Sequence, residues 1–383
     1  MDLKDNQVTM IVMTKNDYEL LANELMELEQ VPSISEHETE MGKVMKKKLA
    51  GKVDKTVFDD FRPSPNVISK KKGTSGKYKL AVDYHIDQIG FETGRIGLDG
   101  TIRIKDEGIF LDDKDVSGNY FDIQTPKGTV RATAIDAGAR RENSWLRRNY
   151  VLKLDDAESR DAVIEHGVAS GQQAMYAAKP KHAEGTYKVV GPAIDDRVGA
   201  TEVLENAKYV AARGGVKSDL MYVGSTQEEL GLLGARYTAK NSAKGCDVAI
   251  VVDDAFANDS DTRSGKGPVL VIEDSAGKID PKARYLMEEA AKREGITLQN
   301  AVMRGYTTAS EYSNAGVSAA ALAVPVKYAH TDHETVNLHD VAGAIKILNR
   351  AVTDAEEILD SYQRMTESKT YQPVAVKTNR VKR

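Results

Sequence analysis

The segment "LMYVGSTQEELGLLGA", residues 220–235, decides the fold class. It opens with a continuous apolar run of strand length, the pattern of a strand covered on both faces. Two acids, Glu228 and Glu229, follow almost at once. Neighbours on an extended chain point to opposite sides, so the pair serves two tasks rather than one. Carboxylates at the inner end of an apolar strand are costly unless a cation or a proton meets them. Three further runs have the same character: "YKLAVDYHID" (78–87), "CDVAIVVDD" (246–254) and "SAAALAVPVKY" (318–328). Helical segments lie between them. "ATEVLENAKYVAARGG" (200–215) ends in a glycine pair suited to a helix C-terminus. "DPKARYLMEEAAKREG" (280–295) has an Asp cap, a first-turn proline and a glycine stop. "DVAGAIKILNRAVTDAEEILDSY" (340–362) is the longest helical candidate. The chain is therefore expected to be α/β, with a covered, mixed, largely parallel sheet and helices on both faces.

Residues 93–186 differ. "GRIGLDGTIRIKDEG", "YFDIQTPKGTVRATAID" and "GQQAMYAAK" are short alternating stretches broken by glycine turns, which predicts a small β-barrel inserted into the α/β domain. The expected division is a discontinuous catalytic domain over 15–92 and 187–366, an inserted domain over 93–186, and mobile tails at 1–14 and 367–383. The C-terminal tail carries five basic residues against one acid and no periodicity. A hydrophobic fraction of 41% with 29% charged residues is ordinary for a soluble globular chain, and a net charge of −5 argues against nucleic acid or an anionic membrane as partner. The N-terminal apolar run is too short to read as a membrane span. Cys246 is the sole cysteine, so no internal disulfide can form and the cytoplasm is the expected compartment.

Potential metal ligands gather at the carboxyl ends of the apolar runs, where open α/β sheets build their sites. "HID" supplies His85 and Asp87, "AIDDRVGA" Asp195 and Asp196, and "EE" Glu228 and Glu229; "VVDDA" adds Asp253 and Asp254, and "VKYAHTDHE" adds His330. Histidines with carboxylates suit zinc, manganese or cobalt. A hydrolytic site built on two metal ions answers the question raised by the adjacent acids: Glu229 holds a metal while Glu228, outside the coordination shell, takes a proton.

In these segments, and in "GKGPV", the sequence resembles metallopeptidase family 42, the glutamyl and tetrahedral-particle (TET) aminopeptidases, over about residues 18 to 362. The resemblance implies a phosphorylase/hydrolase-like, zinc-peptidase-type fold. It implies one metal on His85, Asp195 and Asp253 and another on Asp195, Glu229 and His330, with Asp195 bridging. Asp87 would support His85 and Asp196 would follow a cis peptide. Two divalent ions per subunit are expected, zinc first, with cobalt or manganese as alternatives. Short peptides are the implied substrates, and a dimer building to a tetrahedral dodecamer is the implied assembly, with the insert as lid and contact. The separation of Asp87 from Asp195 by more than a hundred residues distinguishes this family from related deacylases and carboxypeptidases. Thr308 stands where the family usually has aspartate, and Lys327 where arginine is common; both are expected to bear on substrate preference.

Other features read as ordinary. His333 suits a surface or pocket-rim position. His37, His166, His182 and His339 lack matching partners, and Cys246 suits a small core position. "GKGP" lacks the spacing of a phosphate loop and predicts a shaped backbone near the site. The competing readings are a same-clan deacylase or carboxypeptidase, and a non-catalytic, metal-bound oligomeric scaffold.

Overall fold

The computed structural model describes residues 13–108, 116–142, 145–257, 262–303 and 305–370. Most of both expected mobile tails, residues 1–12 and 371–383, lies outside the described residues. The chain begins with α1 (Lys15–Glu29), whose Thr14 cap and Asp17 satisfy each other's amides in a reciprocal box. Leu21, Ala22, Leu25 and Leu28 form its buried face. Then come α2 (Thr39–Leu49), β1 (Lys55–Phe58), β2 (Val67–Lys71) and β3 (Lys79–His85).

The chain next leaves the sheet to form a closed six-stranded barrel. Its strands are β4 (Gly90–Ile96), β5 (Ile102–Glu107), β6 (Tyr120–Thr125), β7 (Gly128–Glu142), β8 (Trp145–Lys153) and β9 (Gln173–Tyr176), with α3 (Arg160–Glu165) before the last. Phe91, Phe121 and Ile123 lie in its own core, apart from that of the large sheet. The chain returns through β10 (Lys181–His182) and β11 (Lys188–Gly191), both of which pair in the large sheet. Gly191 leaves room there for the Glu29 carboxylate, which a Cβ would displace.

The remaining elements alternate. They are α4 (Ile194–Ala212), β12 (Asp219–Ser225), α5 (Leu233–Lys240), β13 (Val248–Phe256), β14 (Val269–Asp274), β15 (Gly277–Lys278), α6 (Pro281–Glu294) and β16 (Gln299–Val302). After them come α7 (Ala309–Asn314), β17 (Ser318–Lys327), β18 (Glu334–Asn337), α8 (Leu338–Thr353) and α9 (Ala355–Glu367).

Among the described residues the large sheet has twelve strands in the order β1-β2-β12-β3-β13-β17-β18-β11-β10; off this path β14 pairs with β17, and β15 and β16 pair with β14. The central four, β12, β3, β13 and β17, are mutually parallel; β2 at one margin and β18, β11 and β10 at the other run antiparallel to their neighbours. The two faces of β13 show why the sheet is covered on both sides. Val248, Ile250 and Val252 meet the larger core shared with α1, α4, α6 and α8, whereas Ala249, Val251 and Ala255 face the smaller one shared with α5 and α7. Small side chains on that second face let short helices approach closely.

The single helix expected over 340–362 is two helices. Asp354 leaves the helical conformation (φ −100°, ψ 8°), and its carboxylate receives Arg293 Nη1 at 2.8 Å and Arg350 Nη1 at 3.2 Å. The break lets α9 bury Ile358 and Leu359 while Tyr362 packs on Tyr285. Among the described residues no helix is long and apolar enough to cross a membrane.

Candidate metal centre

Because the central strands are parallel, their carboxyl ends share one edge of the sheet. Ser225 of β12 is in register with His85 of β3, which brings the residues after both strands together. β13 contributes Asp253 near its end, and the turn after β17 contributes His330. The start of α4 closes the group: Asp195 and Asp196 have non-helical backbone angles and are joined by a cis peptide.

Asp195 is central. Its Oδ1 lies 2.8 Å from His85 Nε2, and its Oδ2 lies 3.1 Å from His330 Nε2. His85 Nε2 is also 4.0 Å from Asp253 Oδ1, and His330 Nε2 is 3.3 Å from Glu229 Oε1. Ligand-type atoms of His85, Asp195 and Asp253 all lie within 4.8 Å of one another, and so do those of Asp195, Glu229 and His330. All five residues named from sequence as metal ligands are thus in two triads that share Asp195.

The backbone is fastened around them. Asp87 is wholly buried; its Oδ1 accepts the Glu228 amide at 3.1 Å and its Oδ2 the Glu229 amide at 3.2 Å. Ser35 Oγ donates to the same carboxylate at 2.6 Å, and His85 Nδ1 is 3.5 Å away. One acid therefore links the first histidine to the acidic pair. Asp196 accepts the His85 amide at 3.1 Å. Beneath this loop the buried Arg197 guanidinium donates to the carbonyls of Leu28, Ile86 and Asp87 and to Gln88 Oε1. Arg197, Glu38, which accepts the Gln227 amide at 2.9 Å, and Glu334 were not singled out from the sequence. For Arg197 and Glu334 the only signal there is a charged residue beside a ligand motif, as in "AIDDR" and "TDHE"; Glu38 has none.

Acids crowd the centre, and their ionisation reflects it. Burial, reinforced by neighbouring carboxylates, holds Glu228 and Asp254 far above the usual carboxylate range and pushes Asp253 up to about 7. Burial also opposes ionisation of Asp195, but hydrogen bonds with His330 and His85 outweigh it and hold this carboxyl low. Burial disfavours the imidazolium of His85, yet Asp195 and Asp87 more than compensate and raise it. A cation relieves this surplus of negative charge. The donor set fits one: two imidazoles and three carboxylates suit zinc, cobalt or manganese. Glu229 Oε1 is buried and has His330 Nε2 at 3.3 Å without a hydrogen bond of good geometry, an approach that suits two ligands of one cation.

Other positions lie apart. Thr308, expected to bear on substrate preference, is buried and donates to Asp83 at 2.8 Å, where Tyr312 Oη also donates at 2.7 Å. Its hydroxyl is engaged by this buried carboxylate of strand β3. Lys327 is half-buried at the end of β17. His333 lies outside both triads, half-exposed, with its ring 4.9 Å from that of Tyr328. The "GKGP" turn is held by Asp340, which accepts the Gly267 amide at 2.7 Å and that of Gly265. A third acidic group, Glu36, Glu92 and Glu107, is engaged internally by Lys105 and His37.

Relatives share this architecture. The chain is 28% identical over 303 residues to the lysyl aminopeptidase of Pyrococcus furiosus, covering 74% of this chain and 83% of that one. Its fold matches the aminopeptidase APDkam598 from the archaeon Desulfurococcus kamchatkensis with a TM-score of 0.80 at 25% identity, over 90% of this chain and 98% of the other. It also matches the Pyrococcus horikoshii TET1 peptidase, which can assemble into a tetrahedron or a large octahedral shell, with a TM-score of 0.76 at 23% identity over 87% and 99% of the two chains. The profile of the M42 glutamyl aminopeptidases matches residues 65–347, most of the sheet and all of the barrel, and the chain belongs to that family.

Proposed function

We propose that the protein is an aminopeptidase that removes N-terminal residues from short peptides with two divalent cations. The observation that carries this reading is the pair of triads joined through Asp195. His85, Asp195 and Asp253 would hold one ion, and Asp195, Glu229 and His330 the other, with zinc the first choice and cobalt or manganese alternatives. When bound, such ions supply the positive charge that makes a water acidic near neutral pH and polarises a peptide carbonyl.

The chain's own residues do the rest. Glu228 belongs to neither triad, and its amide is pinned next to that of Glu229 by Asp87. It accepts the proton that the attacking water loses and returns it to the departing amine. Asp87 fixes the ring of His85 and the backbone of the acidic pair together, so ligand and base keep their separation. The barrel, inserted between Asp87 and Asp195, is assigned the roles of lid and subunit contact in a homo-oligomer. A lone cysteine fits a reducing cytoplasm.

The test combines metal analysis with a panel of aminoacyl chromogenic substrates before and after chelation. Two ions per subunit, cleavage of a free-amino substrate, loss on chelation and recovery on metal return are expected. Full activity in metal-free protein would exclude the mechanism, and cleavage of acylated substrates alone would favour the deacylase reading.

A further inference from the structure

Glu334 opens β18 and is only 1% exposed. Both of its carboxylate oxygens are committed to the main chain of the metal centre. Oε2 accepts the Asp195 amide at 3.0 Å, and Oε1 accepts the His330 amide at 2.6 Å. One carboxylate thus joins the shared residue of the two triads to the histidine of one triad. These segments are far apart in sequence, and each reaches its place through unusual backbone. Asp195 lies in the kink at the start of α4, and His330 has φ of 65°, a region that residues with a Cβ seldom occupy. Such a conformation persists where surrounding contacts over-determine it.

The arrangement has a pattern. Four of the five proposed ligands have their amide held by a buried carboxylate that lies in neither triad: His85 by Asp196, Glu229 by Asp87, and both Asp195 and His330 by Glu334. Of these three acids only Glu334 holds the amides of two ligands at once. Its chemistry is specific, because two N–H donors need two acceptors. Glutamine offers one acceptor and one amino group, so one amide would face another donor; aspartate is one methylene shorter.

We infer that Glu334 is a positioning residue that sets the distance between Asp195 and His330, and through it the affinity of the cation bound with Glu229. This rests on the two-cation reading above. Glu334 holds Asp195 and His330 and reaches the His85–Asp253 side only through the shared Asp195, so the effect is unequal between the two sites: it falls mainly on the Asp195–Glu229–His330 triad.

The test is a competition titration of metal-free protein with zinc against a chromophoric chelator, resolving two stepwise constants in wild type, Glu334→Gln and Glu334→Asp. Loss of a residue that orients ligands weakens metal binding by about 10- to 100-fold. That loss is expected in one step of Glu334→Gln, with a smaller loss in the other and partial recovery in Glu334→Asp. On a Glu229→Gln background, which already lacks the affected site, Glu334→Gln should add little. The cobalt-loaded absorption spectrum should change in Glu334→Gln, and the unfolding midpoint of the metal-free protein should hold. If Glu334→Gln does not fold, the Glu334→Asp titration decides alone. Wild-type constants in the folded variants would overturn the inference. So would an equal fall in both constants accompanied by a lower metal-free midpoint, which would make Glu334 a support of the fold alone. A wild-type protein that binds no zinc would remove the two-cation reading itself, and this inference with it.

Discussion

Replacing Asp87 by asparagine changes one atom and one charge at the point where the first histidine and the acidic pair are tied together. Asparagine must put its amino group in place of one carboxylate oxygen. At Oδ1 it would face the Glu228 amide and His85 Nδ1; at Oδ2 it would face the Glu229 amide and Ser35 Oγ. The second arrangement costs less, because a serine hydroxyl can rotate from donor to acceptor. It still leaves the Glu229 amide without a partner in a buried position, which costs about 1–3 kcal/mol. The Glu228 amide keeps an acceptor but loses its charge assistance, worth about 1 kcal/mol more. The sum, about 2–4 kcal/mol, is released when the Glu229 backbone moves, so much of it should appear as weaker cation binding. A ten- to hundredfold loss, about 1.4–2.7 kcal/mol, is the expected share. Turnover should fall further than metal occupancy, because Glu228 shifts with its neighbour. The assay is zinc competition, steady-state peptidase rate at saturating zinc, and denaturant unfolding of the metal-free protein. Wild-type affinity and rate in Asp87→Asn would refute the claim that this carboxylate holds the pair in place.

Glu228→Gln should keep both metals while losing about a hundredfold or more in rate, whereas Glu229→Gln should lower occupancy of one site; elemental analysis alongside peptidase rate separates them. Glu29, buried against Gly191, has its carboxyl pushed up to about 8 by burial. The folded protein therefore holds a proton that the unfolded chain has released, and stability falls as pH rises from the usual carboxylate range through about 8. Glu29→Gln should flatten that slope in denaturant unfolding across the window; an unchanged slope would show that Glu29 ionises freely in the folded state. Light scattering at several concentrations should find an oligomer, and clean removal of the barrel, residues 90–176, should abolish it; a stable monomer of the intact chain would refute assembly.

What was legible in the sequence follows from how each feature is specified. The parallel strands announce themselves because their residues are buried on both faces, as along Val248–Ala255. Parallel pairing then gathers their ends, so acids and histidines scattered from His85 to His330 become neighbours by topology alone. The margins give no such signal. β1 ("KTVF") and β2 ("VISKK") are short and carry lysines, as strands near a sheet edge do, and they do not read as core. The interruption at Asp354 depends on Arg293, some sixty residues earlier in the chain, and no local pattern shows it. Glu334 and Arg197 look like surface charges in the sequence. Only the three-dimensional arrangement shows that backbone groups from distant segments need them.

The insertion of the barrel also dictates an order of events during synthesis. Strand β3 pairs with β12 about 140 residues later in the chain, and with β13 later still. At roughly 5–20 residues per second, the ribosome needs about 7–28 s to make that partner. The barrel closes entirely within the interval, because all six of its strands lie between Gly90 and Tyr176. The nascent chain therefore carries a finished barrel beside an apolar strand with no sheet to join. Those seconds are the period of greatest exposure to aggregation, and the demand for chaperone protection falls on β3 and not on the barrel.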